Sequence, residues 1–227
     1  MQKEVAMNKL IKDCVNFFND CGFSYSICGG YALELFANMH IRPHSDIDIW
    51  ISDTDKEKSI QYMLNQGWDI YEPLGNYLLR PIIDLNKQHI EQICVFAIKP
   101  DCSFIELKKV EDDNYKMNIQ CDEQLQFDFI ELIYNPQKDG KFLFSQNQRI
   151  IRDMDKARLI TSDNIPYMAP EVVLFCKSIY IDRLGYQKDF DVTVPLLSQE
   201  QRDWLVNALI TAYPDGHAWI DQLANQY

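Results

Sequence analysis

Residues 24–51, SYSICGGYALELFANMHIRPHSDIDIWI, decide the reading of this chain. Ser24-Tyr25-Ser26-Ile27-Cys28 is a short strand pattern cut off by Gly29-Gly30, and Tyr31 to Asn38 is built from helix formers. The double glycine therefore marks a strand-to-helix turn, where backbone can approach a ligand closely and helix N–H groups point outward. Asp46-Ile47-Asp48-Ile49-Trp50-Ile51 then alternates polar and apolar residues, a strand signal. Asp46 and Asp48 stand two apart on it, so their side chains leave the same face. Two carboxylates held that close repel unless a cation lies between them, and an all-oxygen donor set suits Mg²⁺ bound together with nucleotide phosphates. The plain alternative is a half-buried strand whose two aspartates face solvent.

Outward from this stretch, Leu10, Ile11, Cys14, Val15 and Phe18 give residues 3–20 an amphipathic helical face, and 54–66 repeat the pattern with Ile60, Met63 and Leu64. Residues 68–148 carry aromatic and β-branched clusters at 93–98, 127–134 and 141–144, separated by turn signals at Lys99-Pro100-Asp101 and from Asn135-Pro136 to Asp139-Gly140. They read as a strand-rich continuation of one sheet. From Ala169-Pro170-Glu171 the pattern turns helical, with Pro170 at a first helical position. Ser198 with Gln201 has the spacing of a capping box opening a further helix. Trp204 and Trp219 fall on helical apolar stripes and read as core. The expected division is a mixed α/β part over residues 1–165 and a helical C-terminal part over 166–227.

The 227 residues include 22 Lys+Arg and 34 Asp+Glu, a net charge of -12. Such a chain repels phosphate backbones on average, which argues against non-specific nucleic-acid binding and against adhesion to anionic membranes. Charged residues interrupt the first thirty positions, and no apolar run reaches the ~18 residues of a membrane span. Seven cysteines, odd in number and without metal-ligand spacing, read as free thiols of a reduced, cytoplasmic protein. A Walker lysine loop, a G-x-S-x-G elbow and a G-x-G-x-x-G fingerprint are all missing.

Gly29-Gly30-Tyr31-Ala32, Arg42-Pro43-His44 and Asp46-Ile47-Asp48 together resemble the signature of the polymerase-β-like nucleotidyltransferase superfamily, in particular the aminoglycoside and lincosamide nucleotidyltransferases and their bacterial relatives. Downstream, Ile165-Pro166-Tyr167-Met168-Ala169-Pro170-Glu171 through Lys177 is similar to a block of that group. So are Lys188-Asp189-Phe190-Asp191 and the segment around Arg202 and Trp204. The likeness spans roughly residues 20–210 and is weakest over 75–120. Tyr31 stands where Trp is usual, and Asn164 where Gly is common.

The resemblance implies an α/β (α+β) nucleotidyltransferase fold, a short mixed β-sheet flanked by helices with a helical C-terminal part. It implies transfer of a nucleoside monophosphate, AMP from ATP, to a hydroxyl acceptor such as an aminoglycoside- or lincosamide-like small molecule. Asp46 and Asp48 would hold Mg²⁺, and a third carboxylate would complete the site or take the acceptor proton. The strand at 127–134 offers Glu131 on one face and Asp128 on the other, and the family block favours Glu131. Gly29 and Gly30 would admit the triphosphate. Arg42 and Lys177 would contact phosphate, and His44 would orient an aspartate. For each a structural reading stands beside this: Arg42 pairing with acids, His44 closing its loop, Lys177 on a helix surface. Lys188, Asp189 and Asp191 read as a solvated helix face. The rival functions are a non-catalytic nucleotide- or partner-binding regulator that kept the fold, and an enzyme that nucleotidylates proteins. Acceptor identity and oligomeric state are not encoded in these patterns.

Overall fold

The computed structural model describes residues 2–121 and 123–224. The chain runs through α1 (Gln2–Phe18), β1 (Tyr25–Cys28), α2 (Gly29–Ala37), β2 (Ile47–Ser52) and α3 (Lys56–Asn65). Six strands follow: β3 (Asp69–Gly75), β4 (Leu78–Pro81), β5 (Cys94–Ile98), β6 (Ile105–Lys109), β7 (Tyr115–Ile119) and β8 (Phe129–Asn135). The remainder comprises β9 (Gln137–Lys138), β10 (Lys141–Leu143), β11 (Ile151–Asp153), α4 (Met154–Ala157), β12 (Arg158–Ile160) and β13 (Pro166–Met168). It closes with α5 (Pro170–Ser178), α6 (Tyr186–Thr193), α7 (Gln199–Ala212) and α8 (Ala218–Ala224).

These elements form two compact units, one of residues 1–25 with 43–135, the other of residues 26–42 with 136–227. In the first unit the strand order is β2-β8-β5-β3-β4-β7-β6, with β2 and β8 parallel and the remaining neighbours antiparallel. Ile47, Ile49, Ile51, Ile130, Leu132, Val95 and Ala97 share one face of its central strands and are wholly buried. Helix α3 packs against β2 and β3 from that side, and its Ser59 hydroxyl meets the Tyr134 hydroxyl at 3.0 Å. Phe17 of α1 sets its ring 5.4 Å from Phe127 and 5.6 Å from Trp68. Alternation along β2 then puts Asp48 on the other face. Residues 75–120, where the resemblance is weakest, supply β4, β5, β6 and β7.

In the second unit β13 pairs parallel with β1, Ile27 opposite Tyr167, and antiparallel with β12. The expected boundary at 165/166 falls at the start of β13, inside this unit. Asn164 has φ +62°, which explains an Asn where Gly is common, because both reach the left-handed region. Lys141–Leu143 does not continue the larger sheet as expected. It pairs with β9 and β11 in a separate three-stranded sheet. The cause is local: Asp139 and Gly140 both have positive φ, the geometry of a two-residue hairpin, which folds Lys141 straight back onto Lys138.

Helix α5 opens with Pro170, and α7 carries the capping box: Ser198 Oγ accepts from the Gln201 N–H, while Gln201 Oε1 accepts from the Ser198 N–H. The same Gln201 donates to Glu171 at 2.9 Å, tying the cap of α7 to α5. Ser198→Ala should lower stability by about 1 kcal/mol in urea unfolding at unchanged m-value. A change below a few tenths would mean that the packing of α7 alone holds that helix start.

Candidate active site

The in-register parallel pairing of β2 with β8 sets Asp48 directly beside Glu131. Residues so paired project from the same face of the sheet. Asp46, at the end of the loop entering β2, completes the group. Carboxylate oxygens of Asp46, Asp48 and Glu131 all lie within 4.8 Å of one another, each residue half-buried. No other group of three or more metal-ligating side chains occurs among the described residues. The loop before Asp46 is anchored by His44, a buried residue whose carbonyl accepts from the Gln124 N–H at 2.8 Å. Beside Glu131 on the same face lies Cys94, whose thiol pKa is pushed up by burial and by the neighbouring Glu131 carboxylate.

Of the two carboxylates offered by the 127–134 segment, the structure brings Glu131 to the pair and leaves Asp128 out of the group. Asp128 lies just before β8, buried beside Cys102 and Lys99, and burial raises its pKa.

Gly29 and Gly30 open α2, and Gly29 has φ +61°, a conformation that favours glycine at this strand-to-helix turn. Arg42 follows a loop shaped by a buried carboxylate that the sequence reading missed. Glu34 Oε1 accepts from the backbone N–H of Ile41 at 2.7 Å and of Arg42 at 3.1 Å. The Arg42 guanidinium makes a two-pronged contact with Asp189, Nε to Oδ1 and Nη2 to Oδ2, each 2.9 Å. Lys177 Nζ reaches Asp189 Oδ2 at 2.9 Å and lies 4.0 Å from the Tyr186 ring centroid. Asp189 is completely buried.

The solvated-face reading of Lys188, Asp189 and Asp191 is therefore corrected at Asp189. On α6 it is buried together with Phe190 and Thr193. Lys177 is likewise buried rather than on a helix surface. Gly185 makes the arrangement possible, since a Cβ there would come within 2.7 Å of Arg42 Cδ. The two tryptophans serve packing. Trp219 is wholly buried and stacks on Phe190 with ring centroids 4.4 Å apart, while Trp204 donates to the Ile151 carbonyl at 2.8 Å.

No protein-family description matches the chain, and no curated protein matches its sequence. Solved structures do match. The crystal structure of ANT(2'')-Ia in complex with adenylyl-2''-tobramycin superposes with a TM-score of 0.51 at 10% identity, covering 90% of this chain and 97% of that one. The solution structure of the antibiotic-resistance factor ANT(2'')-Ia gives 0.50 at 10% identity over 100% and 99%. The lincomycin-bound lincosamide antibiotic adenylyltransferase LnuA gives 0.47 at 16% identity over 82% and 97%. The first two superpositions show the fold: the chain has the α+β nucleotidyltransferase fold.

Burial alone would push the Asp189 carboxyl up, but the hydrogen bonds and charges of Arg42 and Lys177 outweigh it, so its pKa lies below the ordinary value of 3.8. A depressed folded-state pKa stabilises the protein above the unfolded value, and that contribution is lost as pH falls through the folded one. Asp189→Asn should therefore cost about 3–5 kcal/mol at neutral pH, because the buried Lys177 and the half-buried Arg42 lose this anion. The deficit should shrink as pH is lowered through and below 3.8. Urea unfolding across that range checks both, and a pH-independent deficit would remove the ion pairs as its cause.

Proposed function

We propose that this protein is a Mg²⁺-dependent nucleotidyltransferase that moves AMP from ATP to a hydroxyl acceptor and releases pyrophosphate. The clustering of Asp46, Asp48 and Glu131 carries this reading. Their donor set fits the ion: oxygen atoms only, all anionic, with no sulfur or imidazole. When bound, Mg²⁺ would neutralise charge on the phosphates as it develops during transfer.

The residues' own tasks follow from their positions. Asp46 and Asp48 would hold the ion from the loop entering β2 and from its second residue. Glu131, supported on the central strand β8, completes the set and accepts the proton of the acceptor hydroxyl as its oxygen bonds to the α-phosphorus and the bond to pyrophosphate breaks. The sheet contributes positioning, since three rigidly backed side chains need little reorganisation at the moment of transfer. For the nucleotide we propose contacts from Gly29, Gly30, Arg42, His44 and Lys177. Supporting this, Arg42 and Lys177 converge on one carboxylate, Asp189, which holds the two cations side by side. The fold likeness supports the reaction class at the level of architecture alone, and the choice of acceptor is taken up below.

Thermal shift and turnover test the reading. In the metal-free protein the three carboxylates repel one another, so Asp48→Asn should melt at the same temperature or higher. Mg²⁺ with ATP at ~100 times its dissociation constant stabilises by roughly 2.7 kcal/mol, or about 5–10 °C for a chain of this size. That shift should appear in the native protein and vanish in Asp48→Asn. A mutant that melts clearly lower while keeping the shift overturns the metal assignment. In pyrophosphate-release assays Glu131→Gln should abolish turnover and Asp128→Asn retain most of it. The reverse pattern would transfer the role to Asp128.

A further inference from the structure

The strand register continues sideways from the carboxylates. Asp48 of β2 lies beside Glu131 of β8, Glu131 is opposite Phe96 of β5, and Phe96 is opposite Tyr71 of β3. Directly paired residues share a face with Cβ atoms about 4.5–5.5 Å apart. A single lateral row thus passes from metal carboxylate to base to two aromatic rings. The flanking row repeats the change: Trp50 beside Ile133, and Ile133 opposite Cys94. On the other side Phe129 pairs with Ile98, and Ile98 with the exposed Asp69.

Phe96, Ile133 and Cys94 are half-buried, so apolar surface remains accessible next to Glu131. This surface is held firmly. Phe96 sets its ring edge-on to Phe129 at 5.6 Å, and Tyr71 does the same with Tyr115 at 5.7 Å. Tyr71 and Phe129 in turn belong to a buried cluster with Leu79, Ile98, Phe104, Ile105 and Met117. The row itself holds no charged residue between Glu131 and this cluster.

We infer that Phe96 determines acceptor specificity, and that the acceptor is an uncharged alcohol carrying a flat apolar group next to its reactive hydroxyl. This rests on Glu131 serving the transfer reaction. A hydroxyl addressed by Glu131 has its carbon framework within one strand spacing, about 5 Å, of the Phe96 ring. A polycationic amino sugar gains less there: ammonium groups set against Phe96 and Ile133 would lose water and find no hydrogen-bond acceptor in those two side chains. An aryl group gains area burial and edge-to-face contact.

Phenyl β-D-glucopyranoside and tobramycin are suitable probes, each added with Mg²⁺ and a non-hydrolysable ATP analogue. Saturation-transfer NMR should show the phenyl protons of the glucoside in contact with the native protein. Phe96→Ala should weaken that binding about tenfold or more, with Phe96→Leu, which keeps most of the volume, in between. The Mg²⁺–nucleotide thermal shift should be the same in all three proteins. A lost shift in the variants means a folding defect at Phe96 and overturns its role in specificity. Tobramycin binding that Phe96 substitutions leave unchanged overturns the inference. So does absent contact with the phenyl glucoside when the nucleotide shift is intact. A native protein with no Mg²⁺–nucleotide shift fails at the earlier step and overturns the nucleotidyltransferase reading along with this one.

Discussion

Three carboxylates within 4.8 Å of one another are an electrostatic load that the first unit must hold in place. At an effective dielectric of ~20, two unit charges at that separation repel by roughly 3–4 kcal/mol. Left to relax, the side chains would swing apart into water. They are kept together because β2 and β8 pair in register, and that register is pinned by what lies on the reverse face. A one-residue slip would turn Ile47, Ile49 and Ile51 toward the carboxylate side and expose them. The apolar face thus determines the geometry of the charged one.

The second unit handles charge in the opposite way. Asp189 meets two cations, and Arg152 contacts two carboxylates, Glu171 and Glu200, each at 2.5 Å. Glu171 is wholly buried, and its burial raises its pKa despite Arg152, whereas the exposed Glu200 is drawn down to about 2 by its hydrogen bond to Arg152. Buried charges that are satisfied within the fold hold one arrangement of α5, α6 and α7, since removal of either partner strands the other. Carboxylates satisfied in this way serve structure. The cluster in the first unit brings like charges together instead.

Much of this was legible in residue order. Local pattern was sufficient for β1, the Gly29-Gly30 turn, α2 and β2, because period and glycine chemistry act over a few residues. The Ser198–Gln201 box and Pro170 at a helix start were legible for the same reason. The D-x-D spacing already put Asp46 and Asp48 on one face. The separate sheet of Lys141–Leu143 was missed because the hairpin at Asp139-Gly140 redirects the chain, and a strand pattern does not state its partner.

Asp189 shows where such reading ends. A charged residue beside charged neighbours reads as surface unless its partners are known, and Arg42 lies 147 positions away. Sequence by itself determined the local elements and the paired aspartates, both governed by backbone preference and side-chain alternation. Tertiary structure alone set Glu131 rather than Asp128 beside Asp48, buried Asp189 between Arg42 and Lys177, and aligned Phe96 with the carboxylates. Each of these depends on which strand or helix lies alongside, a choice made by burial of apolar faces distant in sequence and therefore invisible to any local pattern.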